Sequence, residues 1–243
     1  GTEFDMTKGV AAGAFGSKLR HSPLTFKVDG VEYGHERPIA TQQTGFTFVA
    51  QMRSWLPNYI GGILWFGVDD AASCVYAPVY CSTNKVPWCY DEKNGTLLDY
   101  SSTSAFWTFN YVANFAYGKY LPMMEDVRKK QHQLETEFDL QVPETDKKAL
   151  AMSEAEARAF LTDFSNKTAE NTTAEWKKLG EFLLVKFLDG NIKKEENGKF
   201  LKNTEGLPPG IIRAGYPEPL QREMIKENPG LRQKTKEELD NRK

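Results

Sequence analysis

Between residues 38 and 90 only four side chains carry charge: Arg53, Asp69, Asp70 and Lys85. So long a stretch with so little charge is the density of strands buried on both faces or packed beneath another layer. Within it residues 39–53 read as a strand. Phe46, Phe48, Ala50 and Met52 share one face, and Thr47, Val49, Gln51 and Arg53 share the other. The first face is expected to be core. The second carries polar groups in an otherwise apolar segment, so Gln51 and Arg53 require partners. Shorter strands follow at 63–68 and 74–80, and Pro78 marks the latter as an edge or a bulge. Ahead of the block, residues 24–28 and 31–33 flank Asp29-Gly30, which supplies the two positive φ values of a type I′ hairpin turn.

Beyond residue 100 the periodicity changes. Residues 101–117 combine serine and threonine caps with an aromatic run, which predicts a helix burying Phe106, Phe109, Ala113 and Ala116. Residues 119–158 are strongly charged and read as solvated helix, with 126–137 on the same side of the sheet. Two capping-box patterns, Ser153 with Glu156 and Thr172 with Glu175, predict two further helices. The second would present Trp176, Leu179, Leu183 and Phe187 on one face and stop at Asp189-Gly190. Residues 191–209 read as an irregular surface excursion, and 221–243 as a charged tail with few apolar anchors. The chain thus divides into a β-rich part with an aromatic helix, 1–118, and a helical extension with a charged tail packed on it, 119–243. The fold class is α+β.

Composition narrows the function. With 40% hydrophobic and 12% aromatic residues in 243, a folded core is expected. No run approaches the roughly 18 apolar residues of a membrane span. Residues 1–30 lack the order of a secretory signal. A net charge of −2 gives no electrostatic footprint for nucleic acid. Cys74, Cys81 and Cys89 form no C-x-x-C pair and have no histidine nearby to complete a zinc set, so they read as buried or half-buried thiols and leave the compartment open. No metal or cofactor is expected. His21 and His35 flank the hairpin and His132 lies on a charged helix, all three reading as surface residues.

The polar residues inside the low-charge block are the candidate site. Arg53 cannot lose its charge, so it must face a carboxylate, a bound substrate or water. One reading is catalytic, beside a thiolate or a substrate carboxylate; the other is a salt bridge with Asp69 or Asp70, or a strand end reaching solvent. Gln43, Thr44 and Gln51 could hydrogen-bond a peptide in a cleft, or belong to an internal network. Asp69 and Asp70 could bind the free amine of a dipeptide, or form a turn. Trp55, Trp65, Trp88 and Trp107 line a pocket or fill volume.

The run from Arg37 to Pro57, with its Gln51-Met52-Arg53-Ser54-Trp55-Leu56-Pro57 element, and the following Gly61-Gly62-Ile63-Leu64-Trp65-Phe66-Gly67-Val68-Asp69 resemble the C69 family of dipeptidases. The resemblance starts at Phe4-Asp5-Met6-Thr7-Lys8-Gly9, passes the Gly13-Ala14-Phe15-Gly16 turn, and is strongest to about Glu137. It continues through 176–180 and 186–190. It implies a four-layer αββα N-terminal-nucleophile hydrolase fold, two antiparallel sheets enclosed by helices, that cleaves dipeptides through an acyl-enzyme. In that chemistry an N-terminal cysteine attacks and its own backbone amine is the base, so no histidine is needed. Because the sequence opens on Gly1, the expectation is the C-terminal portion of such an enzyme, inactive alone, completed by an N-terminal half or covered by a second copy of itself. Two other classes stay open: a cysteine hydrolase pairing Cys74, Cys81 or Cys89 with His35, and a non-catalytic peptide- or sugar-binding module using the aromatics of residues 88–117.

Overall fold

The computed structural model describes residues 5, 7–34, 40–202, 210–228, 230 and 234–241. His35 and residues 37–39 lie outside them, as does Phe4. The first hairpin pairs β1 (Thr25–Val28) with β2 (Val31–Gly34), Val28 opposite Val31. Asp29 and Gly30 take φ of 50° and 82°, which the right-handed strand twist demands of a two-residue turn.

The central sheet is antiparallel, in the order β3 (Phe46–Met52), β4 (Gly62–Val68), β5 (Ala77–Tyr80). A helical turn, α1 (Asn58–Gly61), joins β3 to β4. The expected 74–80 strand is shorter, because residues 71–73 form a turn held by Asp70. Pro78 sits on edge strand β5 without costing a ladder bond. The Cys81 N–H points to Gly62 of β4, so by alternation the N–H positions of residues 78 and 80 point away. The Tyr80 N–H donates instead to Ser165 Oγ at 3.0 Å.

Three helices follow: α2 (Ala105–Gly118), α3 (Tyr120–Leu150) and α4 (Glu154–Lys186). Ser153 caps α4 through a reciprocal box with Glu156. The second box does not start a helix. Thr172 and Thr173 lie inside α4, where their hydroxyls donate to the carbonyls of Thr168 and Ala169 four residues back, an alternative to capping that threonine always has. The two expected helices are one, and Trp176, Leu179, Leu183 and Phe187 are buried along it. Asp189 and Gly190, at positive φ, end that run. Past residue 190, short two-residue pairings and two helices, Glu218–Glu227 and Lys236–Asp240, complete the described chain.

One core joins β4, β5 and all three long helices: Val68, Ala77, Phe109, Val127 and Trp176 belong to the same cluster, with Phe109 stacked on Trp176 at 4.8 Å. A second cluster unites Ile60, Ile63 and Tyr80 with Val142, Ala149 and Leu161. No helix of the described residues is long and apolar enough to cross a membrane.

Candidate functional site

Helices α3 and α4 pack on one face of β4 and β5, α2 reaches Val68 and Ala77 at one end of the other face, and β3 is left uncovered. Ile63 of β4 and Tyr80 of β5, opposite each other in register, face α3 and α4. The other face carries Phe46, Phe48, Ala50 and Met52 of β3, paired in register with Val68, Phe66, Leu64 and Gly62. Phe46, Phe48 and Met52 are 60%, 54% and 75% exposed. β3 is open on both faces: Val49 and Gln51 on the opposite side are exposed as well, so the face read as core from the sequence is uncovered and no helix covers the other in its place. A period of two tells which residues share a face, not which face is covered. The edge of β3 is also open. The Asp69 N–H donates to Gly45 O and the Arg53 N–H to Gly61 O, so odd-numbered residues bond β4, and the amides of Phe46, Phe48, Ala50 and Met52 point outward.

Toward β5 the bare face deepens into a groove of about 540 Å³. Its floor is Leu64, Phe66 and Val79; Phe46 and Trp107 stand on either side. Phe66 stacks on Phe46 at 5.7 Å and meets Tyr90 edge-on at 5.4 Å. The wall formed by residues 85–97 is fixed by buried Asn94. Its amide donates to Trp88 O, and its oxygen accepts from Ser101 and Thr103. Trp107 Nε1 donates to Thr96 O and Asp99 O, tying the same loop to α2. Gly95 turns at φ 87°, where a Cβ would also press on Asp99 O at 3.0 Å. A groove walled this way is formed before any ligand arrives.

At the end of β4, Asp69 is buried in the left-handed region at φ 67°. Its Oδ1 accepts from Asn110 Nδ2 at 3.0 Å, while Oδ2 is buried with no hydrogen-bond partner among the described residues. Burial pushes its carboxyl up to about 6, against the Asn110 hydrogen bond. Asp70 is fully engaged, accepting from Tyr117 OH at 2.8 Å and Ser73 Oγ at 3.3 Å, with Lys18 at 3.7 Å. Burial and the Asp70 charge push the Tyr117 hydroxyl up, so it stays a neutral donor.

Arg53 is buried at the opposite end of β3 and pairs with Asp146 of α3 through both terminal guanidinium nitrogens. It also donates to Ile60 O at 2.7 Å and Gly61 O at 3.3 Å, and Tyr80 OH donates to the same Asp146 at 2.7 Å. Its partner is thus neither Asp69 nor Asp70. The loop from 53 to 61 wraps the guanidinium, and Gly61 is required there because a Cβ would come within 2.8 Å of Arg53 O. Residues 45 and 53 lie about 26 Å apart at strand rise, whereas a dipeptide spans about 7 Å. The six sequence candidates therefore do not meet around one substrate. Gln43 is exposed and Thr44 half-buried near the Asp69 end; Gln51 is exposed and accepts from Trp65 Nε1 at 3.0 Å. Asp146, Tyr80 and Asn110 had no signal in the sequence, since each meets its partner 41 or more positions away.

The sequence profile of peptidase family C69 matches residues 3–133, more than half of the 243. The chain belongs to peptidase family C69. No curated protein matches it. The family span contains the whole sheet, the groove and both aspartates, and ends inside α3, before Asp146. The carboxylate that holds Arg53 therefore lies outside the matched span, in the second half of α3. Among the described residues no His, Cys, Asp and Glu group is placed to hold a metal ion.

Asp69 carries a pH prediction. A carboxyl near 6 in the fold and 3.8 unfolded binds its proton more tightly when folded, so stability falls as pH rises from about 4 to 6 and the full penalty stands above that. Asp69→Asn keeps the shape and tolerates the positive φ. It removes up to about 3 kcal/mol of penalty at pH 7, less about 1 for the unpartnered amide. Thermal unfolding should show a gain of about 2 kcal/mol at pH 7 and none at pH 3.5. An equal gain at both would place the cause in the backbone.

Proposed function

We propose that this C69 peptidase chain is the C-terminal portion of a cysteine dipeptidase, and that the bare sheet face and the open β3 edge receive the layer that carries an N-terminal cysteine. The observation that carries this reading is the uncovered apolar strand β3. Helices α3 and α4 pack on one face of β4 and β5, while Phe46, Phe48 and Met52 of β3 stand in solvent on the other, and a sheet with two apolar faces is stable between two layers. A second sheet stacked there would complete an αββα arrangement.

The three cysteines of the chain support a nucleophile from elsewhere. Burial pushes the Cys74 thiol up to about 12 and raises that of Cys89, which keeps both in the unreactive thiol form. Cys81 is exposed beside Gly62, with no base within hydrogen-bonding reach among the described residues. The cysteine's own amine would act as base, its sulfur would take the acyl group of the dipeptide's first residue as the second leaves with its amine protonated, and water would then hydrolyse the thioester to release the first.

The test is turnover of a dipeptide panel by the 243-residue chain and by the same chain joined behind a segment opening on cysteine. The joined enzyme should hydrolyse dipeptides and lose activity on iodoacetamide treatment, and the chain alone should be inactive. Thiol-sensitive turnover by the chain alone would contradict the reading.

A further inference from the structure

The groove on the sheet has a chemical character of its own. Of the residues that line it, only Lys85, Asp91 and Glu92 are charged. Its floor and walls are Leu64, Phe66, Val79, Phe46 and Trp107, an apolar surface beneath a polar rim. Its volume of about 540 Å³ lies in the range that holds small organic ligands, about 300–1,000 Å³. Lys85 and Glu92 are both exposed and make no ion pair or hydrogen bond among the described residues. Asp91 differs: its Oδ1 already accepts from the Lys93 N–H.

An uncommitted cation and an uncommitted carboxylate over one apolar groove complement a molecule with both charges and an apolar body. We infer that the groove binds zwitterionic dipeptides with large apolar side chains, Lys85 taking the α-carboxylate and Glu92 the α-ammonium. The inference rests on the peptidase reading for its ligand class and extends it to a substrate preference. A layer stacked over Phe48 and Met52 leaves the groove between β5 and the 85–97 loop as an enclosed pocket, its loop wall already fixed by Asn94. Apolar side chains would displace water from Phe66 and Val79. The rim charges would select free termini, and a peptide blocked at either end would lose one of the two contacts. An ammonium and a carboxylate at the rim are each worth a modest energy in water, so the apolar floor sets affinity and the charges set specificity.

Trp107 lines the groove, so its fluorescence reports occupancy in the 243-residue chain. Leucyl-phenylalanine should bind saturably, and glycyl-glycine and N-acetyl-leucyl-phenylalaninamide at least tenfold more weakly. Val79→Trp fills the floor and should abolish binding while the melting temperature holds. Lys85→Ala should weaken leucyl-phenylalanine but not its amide, and Glu92→Gln should weaken leucyl-phenylalanine but not its N-acetyl form. Binding that is absent, indifferent to side chains and termini, or unchanged by Val79→Trp overturns the inference. So does a groove occupied by a second copy, seen as a dimer in sedimentation that leucyl-phenylalanine does not dissociate. Dipeptide binding without turnover in the joined enzyme would sink the peptidase reading and leave this one standing. Turnover with the same KM in Val79→Trp would do the reverse.

Discussion

Replacing Asp146 by alanine should lower the unfolding free energy by about 3–5 kcal/mol, because it strands the buried guanidinium of Arg53 with only two carbonyls for company. In a chain of this size that is a fall of about 6–20 °C in melting temperature. Asp146 also accepts from Tyr80 OH, which burial and this carboxylate hold in its neutral donor form, so the same change orphans a second buried group. Arg53→Met should be destabilising as well, leaving Ile60 O and the Asp146 carboxylate short of a donor. The double variant Arg53→Met with Asp146→Leu should cost clearly less than the sum of the two, since neither charge is then left alone. Strict additivity in that cycle, measured by denaturant unfolding, would mean that the pair is not the unit described.

Trp176→Ala should cost a similar 3–5 kcal/mol. The indole is fully buried in α4 and stacked on Phe109 of α2, so truncation opens a cavity where α4, α2 and the sheet meet. Trp176→Phe should cost far less, near 1 kcal/mol. It keeps the stacking partner and removes an indole N–H that is buried with no acceptor among the described residues. Urea unfolding of both variants separates volume from polarity. A phenylalanine variant as damaged as the alanine one would show that the N–H, not the ring, matters at this position.

What the sequence made legible was chemistry between near neighbours. Asp29-Gly30 specified its turn because two positive φ values are needed within two residues, and Ser153 with Glu156 satisfied each other's backbone three residues apart. The α+β class followed from the same local periodicities. Family membership was carried by residues 37–69, and the structure gives part of that pattern a reason: Gly61 lets the chain close on Arg53 O, and Arg53 then holds the loop through the carbonyls of Ile60 and Gly61. The partners of buried polar groups were not legible. Arg53 meets a carboxylate 93 positions away in a helix that reads as solvated, and nothing in a charged run marks one aspartate as turned inward. Thr172 illustrates the opposite failure, where a local pattern with two uses was assigned the wrong one. The bare face of β3 is a third kind. Its alternation was plain, yet both of its faces are exposed, because whether either is covered depends on layers that no single strand encodes.

Amide hydrogen exchange along β3 tests most directly whether the uncovered side of the sheet receives the nucleophile-bearing layer. In the 243-residue chain the outward amides of Phe46, Phe48, Ala50 and Met52 should exchange within seconds while those of Thr47, Val49 and Gln51, bonded to β4, are protected. In the enzyme joined to its cysteine-bearing segment, all seven should be slow. Outward amides that remain fast in an enzyme active on dipeptides would contradict the account, because the catalytic layer would then sit elsewhere.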